Sequence, residues 1–383
     1  MLLIKYSSGR LIVKDQSSID VLKKGHFGSM AKHELELFPE EALYLIDVRN
    51  AECSSASGPV RFNSLASRFW RSRKFAARYF TYKDWRDRGL VIKRPSKPSE
   101  PASTPFKEYP GSSLKLQSYE LEGVFFKSDL MTIVDDSSDG KEIYEKFWFG
   151  QYGSYKASER GKLNKLDIYE TKFLMEKGIL KLQNADEAEV AKSATARRKD
   201  FEKLYGVYSD WREKGYVIKT GFKFGTHFRV YFPGARPAMG EEQSRVHSKH
   251  VIHVFPKESK LLISEWARAI RVAHSVRKTF ILAVPGIMKG RKAQIDYVLY
   301  HRHGGDADSP QSSDPKYAML SLSEEEYIGG SEFAAAIRAA RSMRLDLILA
   351  IADRETAVTY YKVRQIRLPG SENEYYEIDW MQP

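Results

Sequence analysis

A single cysteine, Cys53, stands among 383 residues. That scarcity excludes an intrachain disulfide and any zinc site built from thiolates, and it fits a reducing compartment. No apolar run approaches the roughly 20 residues that span a bilayer. The opening stretch MLLIKYSSGRLIVKD is too short and too soon charged for a secretory signal, so a cytoplasmic protein without membrane association is expected. Acidic residues are in deficit, 50 against 62 Lys and Arg, which leaves a net charge of +12 alongside 13% aromatic residues. Such a surface suits a polyanion, nucleic acid before an acidic membrane. Histidines number nine, and their densest group is His247, His250 and His253 in HSKHVIH. On a strand His247 and His253 share one face and His250 takes the other, a poor cage for a metal ion. Neither metal nor cofactor is expected.

At this length two or three domains are expected, and internal repeats divide the chain. SEWARAIRVAHSVRKTFILAV (264–284) recurs as SEFAAAIRAARSMRLDLILAI (331–351), an offset of 67, and upstream KHVIHVF (249–255) falls on KYAMLSL (316–322). Each copy reads strand, Ala-rich helix after Ser-Glu, strand. A second repeat, offset by 126, relates FAARYFTYKDWRDRGLVIK (75–93) to FEKLYGVYSDWREKGYVIK (201–219). Both copies are helices stopped by a glycine, Gly89 or Gly215, before a strand. GHFGS (25–29) likewise parallels GQYGS (150–154).

RPSKPSEPASTPFKEYPGSS (94–113), with five prolines, reads as a semi-extended linker, and HGGDADSPQSSDP (303–315) as a flexible one. The expected division is an N-terminal unit (1–93), a linker (94–115), a second N-terminal-type domain (116–219), a further domain (220–302), a linker (303–315) and a C-terminal copy (316–383). The fold class is α/β and α+β, multidomain.

The blocks GYVIKTG, KFG, FRVY, HSK and VAHSVRK between 215 and 278 carry a resemblance to the catalytic domain of archaeal tRNA-splicing endonucleases. It covers most of 200–285. The resemblance implies duplicated domains of restriction-endonuclease-like fold, each with a smaller α+β N-terminal-type partner. It places the family's tyrosine, histidine and lysine on Tyr231, His247 and Lys278. From His247 to Lys278 is 31 residues (278 − 247), as in the family, while the 16 from Tyr231 to His247 are more than usual. It further implies cleavage of precursor tRNA at bulge-helix-bulge sites without metal, leaving 2′,3′-cyclic phosphate and 5′-OH ends. The RNA supplies its own nucleophile: a deprotonated 2′-OH attacks the adjacent phosphorus and expels the 5′ oxygen. Tyr231 then takes the proton, His247 protonates the leaving oxygen, and Lys278 faces the charge gathering on the phosphorane.

Adding 67 carries His247 to Asp314 and Lys278 to Leu345, and 316–383 begins beyond any counterpart of Tyr231, so the copy is expected to be inert. It keeps core positions: Ile337 for Ile270, Leu347 for Phe280 and Leu349 for Leu282. Arg271, two turns from Lys278 on one helical face, is a candidate to stack on an extruded base. Arg302, ending QIDYVLYHR, is a candidate for its family partner. The loop YKASERGKLNK (155–165) offers Lys156, Arg160, Lys162 and Lys165 to phosphates. In the family an acidic loop docks on a neighbouring subunit; here Asp353 and Glu355 lie on that loop, and the resemblance implies a homodimer. Two other readings are a non-catalytic RNA-binding protein and a metal-dependent nuclease. The latter needs clustered carboxylates, and Glu241, Glu242, Glu258 and Glu265 form no evident pair.

Overall fold

The computed structural model describes residues 2–95, 106–116, 119–135, 137–155, 157–237, 247–286, 294–303 and 306–383. Its spine is an eleven-stranded sheet. In chain order the strands are β1 (Ile92–Lys93), β2 (Lys107–Glu108), β3 (Val217–Thr220), β4 (Phe228–Tyr231), β5 (His250–Val254), β6 (Thr279–Val284), β7 (Tyr297–Leu299), β8 (Tyr317–Ser323), β9 (Asp346–Ala352), β10 (Val358–Arg367) and β11 (Glu374–Met381). Four helices matter to it: α1 (Phe75–Asp87), α2 (Phe201–Glu213), α3 (Ile263–Ser275) and α4 (Gly330–Ser342). Across the sheet the order is β3-β4-β5-β6-β11-β10-β9-β8-β7-β1, and β2 adds in parallel to the end of β10.

That order reads alike from either edge. β5 and β6 are parallel, as are β8 and β9, while every other neighbouring pair on the path is antiparallel. The parallel pairs follow from their crossover helices. α3 buries Ile263, Trp266, Ala267, Ile270 and Ala273, the stripe of an amphipathic helix. α4 buries Phe333, Ala334, Ile337 and Ala340 in the same way. Ahead of the two helices, Lys260–Leu262 and Tyr327–Gly329 pair antiparallel with Leu261 opposite Ile328, residues 67 apart (328 − 261). The repeated stretches thus meet at equivalent positions.

A six-stranded sheet lies within 3–59 and a five-stranded sheet within 121–182. The first packs, through α1, under β7, β8 and β9: Tyr79, Tyr82 and Trp85 share a core with Tyr297, Met319, Ile348 and Tyr360. The second packs, through α2, under β4 and β5: Tyr208 and Trp211 join Phe228, Ile252 and Tyr375. The repeated Asp-Trp of 84–85 and 210–211 has a shared task. Tyr360 on β10 donates to Asp84 at 2.6 Å and meets Trp85 edge-on at 5.4 Å. Tyr375 on β11 donates to Asp210 at 2.7 Å and meets Trp211 edge-on at 5.4 Å. Each N-terminal-type unit therefore clamps one strand of the terminal hairpin.

Three expectations are corrected. The linker drawn at 94–115 is in part built into the fold: Tyr109 is buried in the core, Leu114 packs against it, and β2 belongs to the sheet. Tyr109 is held because its hydroxyl donates to the buried Glu377 carboxylate and lies 3.0 Å from His250 Nε2. The remainder, 96–105, is outside the described residues. The boundary at 302/303 also moves. β7 pairs with β8 and β1 rather than with β5 or β6, so 297–299 belongs to the C-terminal half. Its apolar residues Tyr297 and Leu299 are buried against the first unit. The described residues of the second linker also take part in structure, since Arg302–His303 pairs with Asp306–Ala307 and Ser309 bonds Ser312. Among the described residues no helix is long and apolar enough to cross a membrane.

Burial holds His253 neutral, with its pKa pushed down to about 4. A histidine depressed in the fold is protonated more readily when unfolded, so its contribution is complete above about pH 6.5 and fades as pH falls towards 4. Buried Glu41 and Asp167, each pushed up to about 7, work in the opposite direction. A paired comparison isolates the histidine. His253→Phe, which keeps a ring beside Phe280, should gain stability relative to wild type by up to about 3 kcal/mol between pH 6.5 and 4. Denaturation at several pH values reads this directly; parallel curves would refute it.

Candidate active site

Tyr231 closes β4, His247–Lys249 lead into β5, and Lys278 leads into β6. Val230 lies opposite His250, and His250 opposite Thr279. One step outward, Tyr231, Lys249 and Lys278 therefore occupy one row across three neighbouring strands, with about 10 Å between the outer two. The turn that delivers Lys278 is tight. α3 ends with Arg277 in the left-handed region (φ 54), and the Lys278 amide donates to Ala273 at 3.0 Å. The Thr279 amide then bonds the Lys249 carbonyl at 3.0 Å, which starts the ladder.

Lys278 is buried. Its ammonium donates to the Ser248 carbonyl and, at 2.8 Å, to Ser248 Oγ, and it lies 5.0 Å from the Phe224 ring centre. Burial, and then the nearby Arg229 guanidinium, lower its pKa. Tyr231 is buried beside Trp148, with ring centres 4.8 Å apart. Burial raises its phenol pKa, opposed by Arg229 and by the nearby Ser248 hydroxyl, while Tyr155 adds to the rise. Ser248 thus bonds the lysine and lies near the tyrosine. His247, next to it in the chain, is exposed. Lys278 and Tyr231 have Ser248 as a common neighbour, and His247 precedes it in the chain; this serine was not singled out from sequence. The signal was available, since Ser248 is the middle of HSK. Trp148, Phe224 and Arg229 were likewise missed; Arg229 alternates with Phe228 and Val230 and so shares the face of Tyr231.

The other histidines of HSKHVIH are dispersed. His250 meets Tyr109, whereas His253 packs on His227, ring centres 4.6 Å apart. Among the described residues no three His, Cys, Asp or Glu side chains lie together as metal ligands would.

Arg271 is exposed on α3, and its guanidinium lies close enough to lower the pKa of the Tyr361 phenol, which burial raises. Arg302 is placed elsewhere than expected. It donates to the Arg88 carbonyl at 2.8 Å, beyond the end of α1. The strand that carries it has joined the other half of the sheet, so it is anchored to the N-terminal unit. In the basic loop Lys156 lies outside the described residues. Arg160 and Lys162 are exposed, while Lys165 is partly buried and tied to the Gly153 carbonyl. The loop's Tyr155 stands beside Tyr231. The Asp353 carboxylate is consumed within its own turn, where it accepts from the Glu355 and Ala357 amides, each at 2.9 Å. Glu355 is exposed, and Arg354 between them pairs with Glu324 and Glu325.

The C-terminal half repeats the arrangement with altered chemistry. Leu299 lies opposite Tyr317, so Tyr300 takes the place that Tyr231 holds beside His250. A tyrosine counterpart thus exists, contrary to expectation. It is buried beside Asp314, which together with burial raises its pKa. Leu345, buried, follows a left-handed Arg344 (φ 60) as Lys278 follows Arg277.

Comparison with known proteins gives a consistent assignment. Residues 201–288 match the family model for the catalytic C-terminal domain of tRNA intron endonucleases, and 5–50 match the model for their N-terminal domain. A tRNA-splicing endonuclease of Methanopyrus kandleri is 37% identical over 167 residues, covering 42% of this chain and 88% of the relative. One from Thermococcus kodakarensis is 33% identical over 165 residues, covering 42% and 89%. One from Methanococcoides burtonii is 26% identical over 348 residues, covering 72% and 93%.

Proposed function

Since the chain belongs to the family of archaeal tRNA-splicing endonucleases, we propose that it cuts introns from precursor tRNA at bulge-helix-bulge sites through Tyr231, His247 and Lys278. The observation that carries this reading is the grouping at the strand ends, where Ser248 bonds the Lys278 ammonium and lies near the Tyr231 phenol while its chain neighbour His247 faces solvent. In the reaction Tyr231, as phenolate, takes the proton from the 2′-OH. The freed oxygen attacks phosphorus, and Lys278 stabilises the phosphorane. His247 returns a proton to the departing 5′ oxygen. Atoms balance without water, because nucleophile and leaving group both belong to the RNA. The ends are a 2′,3′-cyclic phosphate and a 5′-OH, which makes the enzyme a metal-independent lyase of cytoplasmic RNA.

The palindromic strand order supports two duplicated domains of restriction-endonuclease-like fold, the second inert because Asp314 and Leu345 replace the acid and the cation. Two chains, held in part through the turn bearing Asp353 and Glu355, would present two active sites to the two cuts of an intron. Arg271 and the basic loop, with Arg160, Lys162 and Lys165, reach towards the RNA. Arg302 has a lesser claim, being anchored to Arg88.

The test is incubation with intron-containing precursor tRNA in excess EDTA, with end-group analysis and a sedimentation measurement of chain stoichiometry. Persistent cutting to cyclic phosphate ends by a particle of two chains is expected. Cutting that stops with EDTA, or binding without cutting as a non-catalytic RNA-binding protein gives, sinks the reading.

A further inference from the structure

Arg229 and Lys278 are two nearby cations for which no described carboxylate serves as counter-ion. Arg229 sits two residues before Tyr231 on β4 and so on the same face, its guanidinium carbon 5.7 Å from the Tyr231 ring centre. Its Nε is buried with no hydrogen-bond partner. It lies close enough to Lys278 for the two charges to repel. Among the described residues no carboxylate forms an ion pair with either. Lys278 spends two donors on Ser248, one on the carbonyl and one on the hydroxyl. An ammonium has three, so one is left. Two other buried charges do have opposite partners: Glu170 pairs with Lys219 at 2.6 Å, and Glu40 with Arg78 at 3.0 Å. Two nearby cations with no described carboxylate partner, in a partly desolvated place, are costly unless an anion completes them.

We propose that Arg229 is a second phosphate-binding group of the active site, gripping the scissile phosphate together with Lys278 and holding positive charge against Tyr231. This rests on the reading of Tyr231, His247 and Lys278 as the cleavage set. A guanidinium offers a planar fork of donors that suits two phosphate oxygens, where the lysine acts as a point charge. The groups facing Tyr231 are Arg229 on its own strand, Ser248 before β5 and Tyr155 from the basic loop. Of these only Arg229 is cationic. Its charge favours the phenolate and so sets how much base is present at a given pH. When phosphate binds, the repulsion between Arg229 and Lys278 is relieved, so substrate and site complete each other electrostatically.

The experiment compares wild type with Arg229→Gln, Arg229→Met and Arg229→Lys in single-turnover cleavage of precursor tRNA from about pH 6 to 10. Affinity is measured for the same RNA carrying 2′-deoxy residues at the cut sites, with a melting curve for each protein. The neutral variants are expected to cleave about 10²-fold more slowly, with the rise of rate displaced to higher pH. Arg229→Lys should keep the wild-type profile and lose about 10-fold or less. A merely structural arginine would weaken folding or binding and leave the profile in place, and that result overturns the proposal. So do neutral variants that cleave at the wild-type rate. If the neutral variants do not fold, competitive inhibition of wild type by inorganic phosphate decides. Inhibition several-fold weaker in Arg229→Lys supports the assignment, and equal inhibition overturns it. A wild type that does not cut the RNA at all would instead sink the underlying reading of the site.

Discussion

Lys278→Met is expected to slow single-turnover cleavage of precursor tRNA by about 10²–10³-fold while leaving the protein folded. The lysine is buried and its charge is unpaired by any described carboxylate, so folding pays to desolvate it. Methionine fills nearly the same volume without that charge. Against this stands the loss of two hydrogen bonds to Ser248, worth about 1 kcal/mol each. The two effects oppose, and denaturation midpoints should move by about 1–2 kcal/mol or less. Catalysis has no such offset, because removing the ammonium takes away a positive charge that faces the phosphorane and methionine supplies nothing in its place. Rates and melting curves measured on one preparation separate the two. A variant that cuts within a few-fold of wild type would remove the lysine from the mechanism.

The second large effect concerns the leaving group. His247→Ala should lower the rate by about 10²–10⁴-fold at unchanged stability, since the side chain is exposed. The loss should largely vanish on RNA whose 5′ oxygen at the cut site is replaced by sulfur, because a thiolate departs without needing a proton. Lys278→Met should show no comparable rescue, since charge on the phosphorane still has to be stabilised. If sulfur substitution leaves the His247→Ala deficit intact, the histidine is not the acid.

Much of this was legible from residues alone, and the exceptions have physical causes. The 67-residue offset predicts both crossover helices to their ends, because stripe and turn recur together: Ile263–Ser275 and Gly330–Ser342, each followed by a left-handed arginine. Tyr300 escaped for a simple reason. From Tyr231 to His247 is 16 residues, whereas from Tyr300 to Asp314 is 14 (314 − 300), so the offset changes from 67 to 69 across the preceding loop. A constant-offset comparison therefore loses β7 and assigns it to the wrong half. The segment after the prolines escaped because its anchors, Tyr109 and Leu116, are isolated apolar residues among polar ones, and their partners lie far along the chain. No local period marks a strand of two residues that joins an existing sheet. Tyr231, His247 and Lys278 were read as motifs, but Ser248, bonded to the lysine and near the tyrosine, emerges only once the three strand ends stand side by side.

The clamped hairpin has a consequence for how such a chain can change. β11 belongs to the catalytic half and β10 to the inert one, yet they are successive strands, paired over seven positions from Tyr360–Met381 to Ile366–Tyr375. Phe280, two residues after Lys278, sits in one unbroken row with Ile378, Val363 and Leu347. The half without chemistry is the other side of a party wall. It is free to lose every reacting group, as Leu345 and Asp314 record, but not to drift in thickness or pitch. Selection on cleavage should therefore reach into a domain that never touches the bond being broken, and act there on shape alone.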